Sequence, residues 1–158
     1  MNWSLIAAQY ALGLIAPRDL PGLAYQMLQS SDDPQSVIDL AVLPPDDDTT
    51  QIERVFGLVL EDLHVKLPSA DEAIIEVATH LAREVVERRI PTYAGACQIA
   101  DLSLYREGSH FYQLLPLYCL VHEYMESELK ESVYVDQMFA ECRRLLTIDR
   151  DSWDAASP

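Results

Sequence analysis

Apolar residues recur along most of this chain at intervals of three and four positions, the spacing typical of helices that bury one face. The first such stripe predicts a helix from about Ser4 to Ile15, which Pro17 would end. Its apolar positions are Trp3, Ile6, Ala7, Tyr10, Ala11 and Leu14.

The same spacing, interrupted by Pro, Gly and Asp, predicts the helices that follow. Asp19 is a candidate N-cap for the second helix, and Ser69 with Glu72 has the spacing of a capping box. Pro116 lies inside a later stripe, where it would either kink the helix or mark its start. The predicted segments open at Arg18–Pro21, include Val37–Ala41, run from Thr50 to Lys66 and from Ser69 to Arg88–Arg89, start at Pro91, pass through Leu114–Val121, and run from Ser132 to Leu146.

Strand patterns are missing from the sequence, since no segment alternates apolar and polar residues over enough positions. We therefore expect an all-α fold with about seven or eight helices joined as antiparallel hairpins. These hairpins could form either an irregular bundle or a short solenoid-like stack, and the stripes do not separate the two. The length predicts a single helical domain over residues 1–148, with residues 149–158 as a polar, frayed tail.

Charge narrows the range of partners. The 158 residues include 26 Asp and Glu against 11 Lys and Arg, a formal net charge of -15. Binding to nucleic acid or to an anionic membrane surface requires clustered basic residues, so neither is expected. The balance favours a basic protein partner.

The cysteines and the start of the chain indicate a cytoplasmic protein. Cys97, Cys119 and Cys142 have neither disulfide-framework nor zinc-site spacing, and the simplest interpretation is three small buried hydrophobic residues. The first residues lack the basic segment of a signal peptide, and the apolar run from Leu5 to Pro17 is too short to span a bilayer.

Candidate chemistry is sparse. Glu61 and His64 have the Glu-x-x-His spacing of di-iron bundles, and His122 with Glu126 could chelate a metal from one helix face. The additional ligands that such sites need are not evident, so we predict no catalytic residues, no metal and no cofactor. A metal-dependent helical-bundle enzyme using these four residues is the least favoured hypothesis.

Acidic residues are concentrated in one part of the chain. Residues 31–62 contain nine acids and one base, Arg54. Such a run is either an ordinary solvated face or a patch that steers a basic partner. Within it, Asp46–Asp48 before a helix would also serve as N-caps. The predicted partner-binding residues are Asp32, Asp33, Asp46, Asp47, Asp48, Glu53, Glu61 and Asp62.

Three short segments resemble a helical bacterial family of unknown function found beside polymorphic toxins, which includes contact-dependent growth inhibition immunity proteins. The segments are Tyr10–Pro17, Leu23–Tyr25 and Val37–Ala41. The resemblance implies a small cytoplasmic protein that binds a cognate toxin domain, often a nuclease, and neutralises it by stoichiometric occlusion without catalysis. The main alternative is a helical-repeat adaptor or scaffold that binds another protein in a groove.

Overall fold

The computed structural model describes residues 2–28, 33–105, 112–127, 132–149 and 152–153. These residues form eight α-helices and no strand, which confirms the all-α prediction. The helices are α1 (Trp3–Ala11), α2 (Leu20–Met27), α3 (Gln35–Ala41), α4 (Thr49–Asp62), α5 (Ala70–Val86), α6 (Thr92–Leu102), α7 (Leu115–Glu126) and α8 (Ser132–Leu145).

Contacts divide the chain into two compact units, Met1–Ala73 and Ile74–Pro158, with the boundary in the first turn of α5. Each unit is described separately below as unit 1 and unit 2. The single domain over residues 1–148 stays a prediction.

Polar side chains fix several helix starts. Asn2 Oδ1 accepts a hydrogen bond from Leu5 N at 2.8 Å and so caps α1. The capping box before α5 is confirmed, because Glu72 Oε2 accepts from Ser69 N at 2.8 Å while Ser69 Oγ accepts from Glu72 N at 3.3 Å. Each bond satisfies an amide that the helix itself leaves unpaired.

Prolines mark two further helix starts. Asp19 is the N-cap residue of α2, as predicted, although its side chain makes no capping hydrogen bond. A single 3-10 turn over Pro17–Asp19 leads into the helix. Pro116 lies in the first turn of α7, where its missing N–H costs nothing, so of the two alternatives the helix start is confirmed.

The core of unit 1 comes from one face of each of its helices. α2, α3 and α4 pack against one another, and α1 adds Ile6 and Ala7 to the same cluster. The ring of Tyr10 meets Phe56 edge-on at 5.1 Å between centroids, which joins α1 to α4. The remaining buried members are Leu20, Ala24, Val37, Leu40, Ile52, Val55, Val59 and Leu60.

In unit 2, α6, α7 and α8 pack against one another. Tyrosines from these helices form a chain of rings, with centroids 4.7 Å apart for Tyr93 and Tyr124 and 6.2 Å apart for Tyr124 and Tyr134. Aromatic pairs at such distances stabilise the fold beyond what the burial of their surface area contributes. One tyrosine from each helix thus contributes to the same contact.

The C-terminal part of unit 2 is anchored by Arg144. Its guanidinium donates to Gln113 Oε1 at 2.7 Å and to the Gln113 carbonyl at 2.5 Å, and Gln113 Nε2 donates to the Ser152 carbonyl at 3.2 Å. Trp153 follows, and although it lies in the segment predicted to be a frayed tail, it is only 1% exposed. The large apolar area of its ring explains why this residue packs into the fold, since aromatic side chains dominate the energetics of cores.

The three cysteines differ in environment. Cys142 is fully buried, Cys97 is half-buried and Cys119 is exposed. Burial raises the pKa of the Cys142 thiol to about 12. The interpretation of all three as buried hydrophobic residues therefore holds for Cys142 and is wrong for Cys119, which lies on the solvent side of α7.

Within the described residues, three helices end in the same hydrogen-bonded closure. After α1, Gly13 N donates to the Tyr10 carbonyl and Leu14 N to the Gln9 carbonyl, both at 2.9 Å. This is the Schellman motif, which requires a left-handed residue just past the helix and normally uses glycine. Gly13 has φ +68°, as the motif requires.

The corresponding residue after α4 is His64 with φ 54°, and after α5 it is Arg88 with φ 59°. Val65 N donates to the Leu60 carbonyl and Arg89 N to the Glu84 carbonyl, each at 2.8 Å, so the closures are complete. A side chain in this backbone region costs roughly 1–2 kcal/mol that glycine avoids. Both positions therefore hold a side chain against the local backbone preference.

We expect His64→Gly and Arg88→Gly each to raise the free energy of unfolding by about 0.5–1 kcal/mol, because relief of left-handed strain outweighs the added flexibility of the unfolded chain. Urea denaturation measures the change. Gly13→Ala is the reverse control: no atom lies within 4 Å of the new Cβ, so its expected loss reports backbone strain alone. If both glycine variants destabilise the protein, the inference of left-handed backbone strain at His64 and Arg88 is contradicted.

Close packing between α5 and α6 depends on Gly95. A Cβ atom at this position would clash with the Cγ2 atom of buried Val85 and lie 2.9 Å from Ile90 Cδ1. Gly57, inside α4, has no atom within 4 Å of the corresponding position. Gly57 and Gly95 both lie inside helices but differ in what a new Cβ atom would meet.

Gly95→Ala should lower the free energy of unfolding by about 1–3 kcal/mol through overpacking. Gly57→Ala should raise it by about 0.5–1 kcal/mol, because alanine favours the helix and meets no neighbour. Paired chemical denaturation curves provide the measurement. Equal effects in the two variants would show that α5 and α6 do not approach closely at Gly95.

Candidate functional site

The predicted acidic residues lie around α4, with the exceptions of Asp32 and Asp33. Asp32 lies outside the described residues, and Asp33 is half-buried just before α3. Asp46–Asp48 precede the first turn of α4, whereas Glu61 and Asp62 are in its last turn. Fourteen residues of helix place these two groups about 20 Å apart. The structure thus places Asp46–Asp48 and Glu61–Asp62 as two separate groups at opposite ends of one helix, with Glu53 between them.

Two of the carboxylates before α4 accept hydrogen bonds from neighbouring backbone amides. Asp47 Oδ1 accepts from Asp48 N at 2.8 Å, and Asp48 Oδ1 accepts from Thr50 N at 3.1 Å. Asp46 is exposed. The capping interpretation is therefore confirmed for Asp48, and Asp47 shapes the turn that leads to it.

Glu53 connects α4 to α1. The Tyr10 hydroxyl donates a hydrogen bond to Glu53 Oε1 at 2.7 Å. Burial, with the hydrogen bond and the negative charge of Glu53, raises the pKa of Tyr10 to about 12 from its ordinary value of 10.0. This carboxylate therefore has a structural role within unit 1.

The shifted pKa of Tyr10 predicts a loss of stability in alkali. Between pH 10 and pH 12 the folded chain keeps a phenolic proton that the unfolded chain releases, so the free energy of unfolding falls as pH rises through this window. Tyr10→Phe should flatten that decline, as measured by denaturation at several pH values. Tyr25→Phe, which removes a tyrosine that is 71% exposed, is the control and should not flatten it.

The group at the end of α4 has no comparable structural role. Glu61 and Asp62 are exposed, and the last turn contains no basic residue. Negative charge at a helix C-terminus is opposed by the helix dipole, at a cost of roughly 0.3–1 kcal/mol for each charge. The strained residue His64 lies two positions after Asp62. Three residues that oppose local stability, Glu61, Asp62 and His64, therefore occur within four positions at one exposed helix end.

An exposed leucine lies beside these carboxylates. Leu58 is 44% exposed on the solvent side of α4, one turn before Asp62 and one turn after Arg54. Arg54 in turn donates to Gln51 Oε1 at 3.2 Å. We call Arg54, Leu58, Glu61 and Asp62 the outer face of α4. Sequence reasoning missed Leu58, although it lies off the apolar stripe of this helix and could have been noticed there.

The residues of the metal hypothesis do not form a ligand set. Glu61 and His64 are exposed at the end of α4, and His64 lies outside the helix, so the inward-facing Glu-x-x-His arrangement is not formed. His122 and Glu126 are exposed on α7, where the His122 ring packs at a tilt against Tyr118, with ring centroids 4.2 Å apart. Across the described part of the chain, no group of three or more His, Cys, Asp and Glu residues could hold a metal ion.

Comparison of the chain with protein-family models, with curated proteins and with solved structures gave no match. None of the helices in the described segments combines the length and the apolar character that crossing a bilayer requires.

Proposed function

We propose that this chain is an immunity protein that binds a basic toxin domain through the outer face of α4 and neutralises it by stoichiometric occlusion. The observation that carries the proposal is the end of α4, where exposed carboxylates and an exposed leucine occur together at a position that the helix dipole disfavours. Residues that oppose local stability are the ones that a binding function would account for.

Unit 1 has the strongly negative charge that would attract a basic partner. Residues 1–73 include 12 Asp and Glu against 3 Lys and Arg, a balance of -9. A field of one sign raises the association rate with a basic surface, most strongly at low ionic strength. Asp46, Glu61 and Asp62 are the described members of the predicted set that are exposed and make no hydrogen bond or ion pair with the described residues. Of these, only Glu61 and Asp62 flank Leu58, so they are the contacts we assign to the partner.

Leu58 supplies the apolar centre that charges alone lack. Interfaces combine an apolar core with a polar rim, and the carboxylates flank Leu58 on the same face. Burial of its exposed part would slow dissociation, whereas the carboxylates would mainly speed association. The outer face of α4 thus contains the two kinds of contact that a tight inhibitor requires.

The toxin class and a cytoplasmic location come from the family resemblance of Tyr10–Pro17, Leu23–Tyr25 and Val37–Ala41. A nuclease domain fits the charge argument, because its nucleic-acid-binding surface must be basic. Occlusion requires no catalytic group on this chain.

The partner test uses the C-terminal domain of a large secreted protein encoded beside this chain. We expect direct binding in a pull-down and rescue of growth when that domain is expressed in the same cells. Absence of both binding and rescue would contradict the proposal. Binding to several unrelated proteins, without rescue, would support the helical adaptor instead.

The double variant Glu61→Lys with Asp62→Lys locates the interface. We expect the association rate to fall at least about tenfold at low salt and its salt dependence to weaken. The helix dipole favours lysine at this end, so the variant should be at least as stable as the native chain. Loss of binding would therefore not result from unfolding.

The matched control is Glu123→Lys with Glu126→Lys, which makes the same change in charge at the exposed C-terminal end of α7. It should leave the dissociation rate unchanged and alter association much less. Equal losses in the two double variants would show that the partner responds to overall charge, which would overturn the assignment of the outer face of α4. Leu58→Ala should raise the dissociation rate about tenfold.

A further inference from the structure

Unit 2 contains an open cleft of about 560 Å³ where the end of α5 and the segment leading to α6 lie beside α8. This volume is within the range of small-molecule sites. Its apolar lining includes Val85, Ile90, Val135 and Phe139, and its charged lining residues are Arg88, Arg89 and Asp136.

The two arginines in this lining differ in availability. Arg89 is paired within its own segment, donating to Glu84 Oε1 at 2.7 Å and to Glu84 Oε2 at 2.8 Å, with a further bond to Glu87. These hydrogen bonds hold the pKa of Glu84 below its usual value. The guanidinium of Arg88 has no hydrogen bond or ion pair to any residue in the described ranges. It is the cation of the cleft that remains available to a ligand.

Backbone strain makes the presence of Arg88 significant. Glycine would close α5 at lower cost, as Gly13 does for α1, yet an arginine occupies this left-handed position at the edge of the cleft. No hydrogen bond or ion pair with another described side chain offsets the strain. A charged ligand of opposite sign would offset it.

Asp136 supplies the complementary charge from α8. Its carboxylate is exposed and makes no hydrogen bond or ion pair with the described part of the chain. Arg88 and Asp136 therefore line one cleft without pairing with each other, and apolar side chains lie in the same lining. An unpaired cation and an unpaired anion in a shared apolar cleft suit a ligand that has both charges and an apolar body.

We propose that this cleft binds a free zwitterion with an apolar side chain, of the α-amino acid class. The ligand carboxylate accepts hydrogen bonds from Arg88, its ammonium donates to Asp136, and its side chain lies against Ile90 and Phe139. The proposal rests on residues of unit 2 and does not depend on toxin binding at α4.

Three probes of similar size separate the contributions of the two charges. L-phenylalanine has both charges, hydrocinnamate lacks the ammonium and phenethylamine lacks the carboxylate. Amide chemical shifts of the full chain report binding, and we expect saturable shifts at Val85–Thr92 and Val135–Phe139. L-phenylalanine should bind about tenfold or more tightly than either analogue, because each analogue loses one charge-assisted hydrogen bond.

Leucyl-phenylalanine, as a fourth probe, tests whether the site also takes a short peptide. If it binds more strongly than L-phenylalanine, the assignment of a free amino acid as the ligand is contradicted.

Two substitutions cross-check the assignment. Arg88→Gly should weaken L-phenylalanine and hydrocinnamate about tenfold or more and leave phenethylamine unchanged, in a chain that is at least as stable as the native one. Asp136→Asn should weaken L-phenylalanine and phenethylamine and leave hydrocinnamate unchanged. Arg143→Gln removes a cation elsewhere on α8 and should change none of them. The absence of saturable shifts at the cleft, or shifts that neither Arg88→Gly nor Asp136→Asn alters, would overturn the proposal.

Discussion

The requirement to satisfy the last carbonyls of a helix is the constraint on which both candidate surfaces depend. At α1, α4 and α5 the chain meets it with the same closure, in which one left-handed residue lets two amides bond back into the last turn. The closure fixes where α4 stops, directly after Glu61 and Asp62. It also turns the chain after α5 so that Arg88 lines the cleft. The same backbone conformation thus positions two regions that differ in chemistry, the acidic end of α4 and the cleft lined by Arg88.

Glycine meets this requirement at lowest cost, and of these three described helix ends that of α1 is the one that uses it. The other two closures hold His64 and Arg88, and the end of α4 adds two carboxylates that oppose the helix dipole. These residues weaken the fold locally, while the apolar clusters of each unit supply its stability. Stability alone would favour glycine at the two left-handed positions and would disfavour carboxylates at the end of α4. At both places, binding of a partner or ligand would account for side chains that local stability does not favour.

Much of the fold was predictable because its signals are local. The stripe of Ile52, Val55 and Phe56 on α4 requires only the helical period, and the bonds between Ser69 and Glu72 involve residues three positions apart. Helix ends were less predictable: the predicted end of α4 at Lys66 is four residues beyond the observed end at Asp62. A stripe can continue past a helix when the apolar residues that follow it, here Leu63 and Val65, pack on the same core.

For the candidate site, the sequence by itself determined which residues are acidic and that several of them flank one helix. Only the tertiary structure decided which of them are engaged. It tied Glu53 to Tyr10 across 43 positions and left Glu61 and Asp62 exposed beside Leu58. It likewise placed Arg88 and Asp136 in one cleft and buried Trp153. The physical reason is that period and capping depend on neighbours in sequence, whereas burial and pairing depend on residues that only folding brings together.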